Sequence, residues 1–167
     1  MATKTHRTFT TRNDISEENR EQLVELLNAR LADTFDLYSQ VKQAHWNVKG
    51  SDFIQLHLLY DTVAEDVIEY VDTIAERATA LGGLALGTAR MAAKASTLDE
   101  YPVDAVDGMD TVAAVADRLA AYGALVREGI DQATELEDMN RGSTSPAGWA
   151  GGAPLTGRPR RSAGSPS

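Results

Sequence analysis

The sequence contains no cysteine, which excludes disulfide bonds, thiolate catalysis and metal sites with cysteine ligands. It has no apolar run near the roughly 20 residues of a membrane-spanning helix, and no apolar leader in residues 1–20. Phosphate-binding loops, nucleophile elbows and dinucleotide-binding fingerprints are absent from it. The remaining composition, with 43% apolar and 25% charged residues among 167, is typical of one globular domain, which we expect to be cytoplasmic.

Negative charge is concentrated in the middle of the chain. Residues 14–140 have a formal charge of −16, because they hold all 25 acidic residues and 9 of the 16 basic ones. We interpret residues 1–13 as a flexible basic tail, 14–140 as the folded domain, and 141–167 as a disordered tail rich in glycine, proline and arginine. The acidic body argues against a folded surface for nucleic acid, although a solvated acidic surface is the simpler explanation of the charge.

Apolar residues recur at helical spacing in three long segments. Ser16 suits the N-cap of the first, and Ser51 or Asp52 that of the second. The connection before the third segment has room for one short helix. Three amphipathic helices leave apolar stripes that a fourth helix or a partner must cover, so the pattern predicts an all-α bundle. The predicted long helices are residues 16–46, 53–80 and 111–137.

Two pairs of potential metal ligands lie on the second segment. His57 and Asp61 are four residues apart, as are Asp72 and Glu76, so each pair shares one face of a helix. The step from Asp61 to Asp72 is close to three turns, so both pairs point roughly the same way. His45 lies near the end of the first helix, and a short turn brings it near His57. Imidazole with carboxylate suits Fe(II), Zn(II) or Mn(II), but hydrogen-bonded core histidines and solvated acids also fit the pattern.

The two pairs are too far apart to bind one metal ion within a single chain. Asp61 and Asp72 are about 16 Å apart along a helix that rises about 1.5 Å per residue, whereas metal–ligand bonds are about 2 Å long. Two copies of the helix, antiparallel about a two-fold axis, place His57 and Asp61 of one subunit beside Asp72 and Glu76 of the other. The spacing therefore favours a metal site between subunits, formed twice in each dimer.

The motif and the spacing of the residues around these ligands are distinctive. They closely resemble those of the Dps family, the DNA-protecting mini-ferritins of starved cells. More loosely, the resemblance extends from the first helix to about Asn140. The residues that carry it are Lys42-Gln43-Ala44-His45-Trp46-Asn47-Val48-Lys49-Gly50, Phe53, Leu56-His57, Asp61, Asp72-Thr73-Ile74-Ala75-Glu76-Arg77 and Tyr101-Pro102.

This resemblance implies a ferritin-like four-helix subunit, a hollow shell of twelve subunits, and a ferroxidase centre at a two-fold interface. Fe(II) is then oxidised by peroxide or oxygen and stored inside the shell as ferric oxide, and DNA is protected. The resemblance places Trp46 beside the centre. Without the resemblance, we would interpret Trp46 as an aromatic anchor of the core. The iron ligands it implies are His45, His57 and Asp61 from one subunit, with Asp72 and Glu76 from its neighbour.

Two other functions fit the sequence. The first is a DNA-coating protein of the nucleoid, in which Lys4, Arg7 and Arg12 neutralise phosphates and twelve copies add avidity. The second is a helical protein without catalysis, whose histidines and acids only pack. Iron-dependent consumption of peroxide distinguishes a ferroxidase from a helical protein without catalysis. Salt-sensitive retardation of DNA in a gel tests for a DNA-coating protein.

The carboxyl-terminal segment departs from the family. The resemblance calls for a fourth long helix opened by Thr-Ala-Asp-Leu, but residues 141–167 are rich in glycine and proline and have no helical periodicity. Codons for residues 140–144 can be chosen that read Thr-Ala-Asp-Leu one nucleotide later, so we interpret the segment as frameshifted. The alternatives are a natural disordered tail and a truncated product that does not assemble.

Overall fold

A computed structural model of the chain describes residues 6–136, which form four α-helices and no strand. This confirms the all-α prediction and the three long helices. The short helix falls in the connection where the sequence left room for one. We predicted that residues 141–167 form no fourth long helix, and these residues lie outside the described part of the chain. Lys4 also lies outside it. The helices are α1 (Glu17–Asn47), α2 (Phe53–Ala80), α3 (Ala89–Ala95) and α4 (Gly108–Glu135).

The helix ends follow local chemistry. Ser16 caps α1, since its hydroxyl accepts a hydrogen bond of 3.2 Å from the amide of Asn19. Asp52 is the N-cap of α2 but makes no capping bond with its side chain. The helix α4 begins earlier than predicted, because Gly108 is helical. The hydroxyl of Thr111 donates to the Gly108 carbonyl at 2.7 Å within the first turn.

Two apolar clusters form the core and show that α1 and α2 are antiparallel. The first joins the carboxyl half of α1 to the amino halves of α2 and α4, through side chains such as Leu37, Tyr60 and Val115. The second joins the amino half of α1 to the carboxyl end of α2, with Leu23 and Ile74 almost completely buried. The turn between α1 and α2 is short, and Gly50 supplies the left-handed backbone it requires, with φ of 104°.

Polar side chains on α1 hold the connection between α3 and α4. The carboxylate of Asp33 is fully buried, lies 3.0 Å from Arg30 Nη2, and accepts a 2.6 Å hydrogen bond from the amide of Thr97. Two turns further along α1, Gln40 Nε2 donates to the carbonyl of Asp99 at 3.0 Å. These bonds fix residues 96–99 against α1, so the connection packs closely although it is not helical.

The chain before α1 also contacts the domain. The amide of Phe9 donates to the carbonyl of Gly82 at 2.8 Å, and Ile15 is buried in the second cluster. Phe9 thus already contacts the domain, although we predicted that the flexible basic tail extends to residue 13. No helix formed by residues 6–136 is long and apolar enough to cross a membrane.

Candidate metal centre

Two histidines meet where α1 ends and α2 begins. His45 lies in the last turn of α1 and is buried, whereas His57 lies in the second turn of α2 and is half-buried. Their rings stack with centroids 3.7 Å apart and planes inclined by 21°. The short turn therefore places the two imidazoles together, as the sequence predicts.

Each histidine donates a hydrogen bond to the backbone of the other. His45 Nδ1 lies 2.8 Å from the carbonyl oxygen of His57, and His57 Nδ1 lies 2.9 Å from that of His45. Because a carbonyl only accepts, the hydrogen of each ring must be on Nδ1. In a neutral ring this leaves the lone pair on Nε2, which is the usual arrangement of a histidine that binds a metal.

Asp61 lies one helical turn beyond His57, beside Lys42. Its Oδ1 is 2.6 Å from Lys42 Nζ and 3.9 Å from His45 Nδ1, and the second distance is too long for a hydrogen bond. The hydrogen bond from Lys42 is the main reason why the pKa of Asp61 is lower than usual. Partial burial opposes this effect, while the charges of Lys42 and the two imidazoles lower the pKa further. Asp61 is therefore a carboxylate at neutral pH.

Aromatic and apolar side chains surround this cluster on the surface. The ring of Phe53 lies 5.0 Å from that of His57. Trp46 is 66% exposed, so within this subunit the interpretation as a core anchor is wrong. Ile54 and Leu58, one turn apart on α2, are each 60% exposed. An apolar, solvent-facing surface next to the histidines is suited to contact with another protein surface.

Asp72 and Glu76 do not join the cluster within the chain. Both are exposed and lie further along α2. The rise of the helix places Asp72 about 16 Å from Asp61. Nowhere in the described part of the chain do three His, Asp or Glu side chains form a group that could hold a metal ion. His45, His57 and Asp61 are neighbours at this corner but do not by themselves form a metal-binding group, and the other two predicted ligands lie apart from them.

Lys42 contacts Asp61, although the sequence analysis quoted it only as part of the motif and did not name it as a site residue. A signal was present, because Lys42 lies one turn before His45 and shares its helix face. The spacing alone does not identify the carboxylate to which Lys42 binds, since Asp61 is on the other helix. Lys42 Nζ also lies 6.0 Å from the centroid of the Trp46 ring.

Comparisons with known proteins identify the family. The model of the ferritin-like domain matches residues 24–140. The DNA protection during starvation protein of Agrobacterium fabrum is 37% identical over 135 residues, which are 81% of this chain and 82% of that protein.

Solved structures agree with this match. The Dps of Mycobacterium smegmatis, in its tetragonal form, superimposes with a TM-score of 0.73 at 30% identity, over 77% of each chain. An archaeal Dps homologue from Halobacterium salinarum gives a TM-score of 0.73 at 31% identity, over 82% of this chain and 76% of that one.

Proposed function

The chain belongs to the Dps family of ferritin-like proteins, and we propose that it oxidises Fe(II) at a site shared by two subunits, stores the product, and protects DNA. Iron is the substrate in this proposal, and peroxide or oxygen is the oxidant. The proposed assembly is a homo-oligomer, a dodecamer by resemblance to the family, that works in the cytoplasm.

The observation that supports this function best is the reciprocal hydrogen bonding of His45 and His57. Both rings are held by backbone carbonyls, so they are oriented before any metal binds. Imidazole nitrogen and carboxylate oxygen are donors that suit Fe(II), and in this proposal His45, His57 and Asp61 need the second subunit to complete the site. A packed core would not require two stacked imidazoles beside a half-exposed carboxylate.

The rest of the ligand set comes from a second subunit in this proposal. Asp72 and Glu76 face solvent on α2 and would complete the site across a two-fold axis. Their charges compensate the additional positive charge when Fe(II) becomes Fe(III). With peroxide, two Fe(II) ions give one electron each to one H2O2, which takes up two protons and leaves as two water molecules. The acidic interior of a shell would then retain the ferric product.

Mixing of subunits tests the shared site. His57→Ala and Asp72→Ala each remove one half of the ligand set, so each variant alone should lose Fe(II) oxidation. If the subunits mix at random, half of the dimers are mixed and each has one intact site. The mixture should then recover about a quarter of the wild-type activity. Light scattering verifies that each variant assembles.

The matched control mixes His57→Ala with Asp61→Ala. Both substitutions damage the same half of the ligand set, so no intact site can form and no activity should return. Equal activity of the two mixtures, or no recovery in a well-mixed assembly of His57→Ala and Asp72→Ala, would contradict a shared site.

DNA coating is a second proposed role. The strongly acidic domain repels phosphates, so we propose that contact with DNA is made by the cations of the amino-terminal segment, Lys4, Arg7 and Arg12. Deletion of residues 2–8, which precede the contact at Phe9, should weaken retardation of DNA in a gel and leave iron oxidation unchanged. A deletion variant that binds DNA as tightly at the same salt concentration would disprove this role for the segment.

A further inference from the structure

A hydrogen bond between two buried hydroxyls joins α2 to the beginning of α4. Tyr60 Oη lies 2.9 Å from Thr111 Oγ1, and both residues are almost completely buried. The Thr111 hydroxyl donates its only hydrogen to the carbonyl of Gly108 at 2.7 Å, so Tyr60 must be the donor to Thr111. Thr111 is thus a fixed acceptor, and the place of the tyrosine hydroxyl of α2 depends on α4.

Two further contacts connect the same end of α4 with the corner between α1 and α2. The amide of Lys49 donates to the carbonyl of Val106 at 2.8 Å. A Cβ added at Gly108 would lie 3.2 Å from Leu56 Cδ1, which is tighter than an ordinary contact. The glycine therefore lets α4 begin close to Leu56, and the beginning of α4 packs directly against this corner.

These contacts lie next to the proposed iron ligands. Leu56 directly precedes His57, and Tyr60 directly precedes Asp61. Because α2 is a continuous helix, a contact that fixes the rotation of the helix at Tyr60 also fixes the directions of the neighbouring side chains. Metal binding requires ligands that are held within about 0.5 Å of their productive positions. A small rotation of α2 at this point would therefore matter for the site.

We propose that Thr111 is a positioning residue of the iron site and acts through Tyr60 on His57 and Asp61. This inference rests on the proposed oxidation of Fe(II). The hydrogen bond keeps the first turns of α2 in the orientation in which both side chains can bind one metal ion. Without the bond, this orientation is populated for a smaller fraction of the time, and the apparent affinity for Fe(II) falls by that fraction. Bound iron restores the orientation, so the rate at saturation changes little.

The chain offers a matched control for the loss of a tyrosine hydroxyl. Tyr122 Oη on α4 lies 2.8 Å from Thr34 Oγ1, and the Thr34 hydroxyl donates to the carbonyl of Arg30 at 2.6 Å. Tyr122, like Tyr60, therefore donates to a threonine that itself donates to a helix carbonyl. This second bond joins α4 to α1, about 16 Å along the helix from His45, and does not involve α2.

Tyr60→Phe and Tyr122→Phe each remove one of these hydroxyls and keep the aromatic ring. One hydrogen bond changes an equilibrium about 2- to 10-fold. Tyr60→Phe should therefore raise the KM for Fe(II) about 2- to 10-fold with kcat nearly unchanged, whereas Tyr122→Phe should leave both at their wild-type values. Thr111→Val should resemble Tyr60→Phe, and Thr111→Ser, which keeps the hydroxyl, should resemble wild type. Equal KM values for the two phenylalanine variants, in assemblies verified by light scattering, would overturn the role of Thr111.

The tautomer of His57 tests the positioning without iron. Nitrogen-detected NMR of the assembled, iron-free protein should find less hydrogen on His57 Nδ1 in Tyr60→Phe than in wild type, and no change in Tyr122→Phe. An unchanged tautomer in Tyr60→Phe would overturn the inference, whatever the activity. A wild type that shows the tautomer difference from Tyr60→Phe but does not oxidise Fe(II) would refute the proposed function and leave Thr111 as the positioning residue of the histidine pair.

Discussion

Lys42 and Asp61 form an ion pair between α1 and α2, with 2.6 Å between Nζ and Oδ1. The pair lies beside the stacked histidines, so Lys42 occupies an oxygen that the proposed function assigns to iron. The cation thus neutralises one carboxylate of the proposed site.

Removal of the Lys42 cation should raise the pKa of Asp61. The lysine hydrogen bond is the main cause of the lowered pKa, so Lys42→Met should bring that pKa back toward the ordinary value. A group whose pKa is lowered by folding adds stability above its unfolded pKa, and this stability is lost as the pH falls through the folded pKa. The difference in stability between wild type and Lys42→Met should therefore shrink in acid. NMR titration of the Asp61 carboxyl carbon measures the shift, and Lys49→Met is the matched control because Lys49 is exposed.

The two stacked histidines should have an unusual tautomer. Both rings donate from Nδ1 to a carbonyl, so nitrogen-detected NMR at a pH where they are neutral should find the hydrogen on Nδ1 in each. His6, which is exposed, should show the ordinary preference of a free imidazole for a hydrogen on Nε2. A hydrogen on Nε2 in His45 or His57 would contradict the reciprocal bonds.

Loss of the buried Asp33 carboxylate should destabilise the fold strongly. Asp33→Ala leaves Arg30 buried without its partner, which costs about 3–5 kcal/mol. Asp36→Ala, the control, mainly loses a hydrogen bond from Ser96 at 2.6 Å, at a cost of about 1 kcal/mol. Chemical denaturation measures both. The double variant Arg30→Met with Asp33→Asn, which keeps an oxygen acceptor for the Thr97 amide, should recover much of the loss, and equal effects of the two alanine variants would refute the importance of the pair.

Two glycines should differ in their tolerance of alanine. A Cβ at Gly83 would overlap Val24, with Cγ2 only 2.6 Å away, so Gly83→Ala should cost about 1–3 kcal/mol. A Cβ at Gly87 would lie 3.5 Å from Leu31 Cδ2, an ordinary contact. Gly87→Ala should then be neutral or slightly stabilising. Thermal unfolding measures the difference, and Val24→Ala should rescue Gly83→Ala if the overlap is its cause.

Helix periodicity and turn residues predicted most of the fold. The bounds of α2 agree with the prediction because Gly50 and the Gly82-Gly83 pair mark its ends. The meeting of His45, His57 and Asp61 was predictable from the same pattern, since a short turn fixes which residues of two antiparallel helices are neighbours. That these residues bind iron stays a prediction.

Other features leave no periodic signal. The contact of Phe9 with Gly82 depends on a backbone amide and on the φ of Gly82, neither of which appears in an apolar pattern. The pair of Arg30 and Asp33 looks solvated in the sequence, because charged residues on a helix usually face water. Only the packing of the connection after α3 shows that they are buried.

The bonds from α1 to residues 96–99 have a consequence for the order in which the chain folds. The hydrogen bonds between His45 and His57 close a loop of only 12 residues, whereas the bond from Thr97 to Asp33 joins residues 64 apart. Short loops lose less entropy on closure and therefore form sooner. We expect the hairpin of α1 and α2 to assemble first, with its histidines already paired. Residues 96–99 then attach to it late, as the step that brings α4 into position.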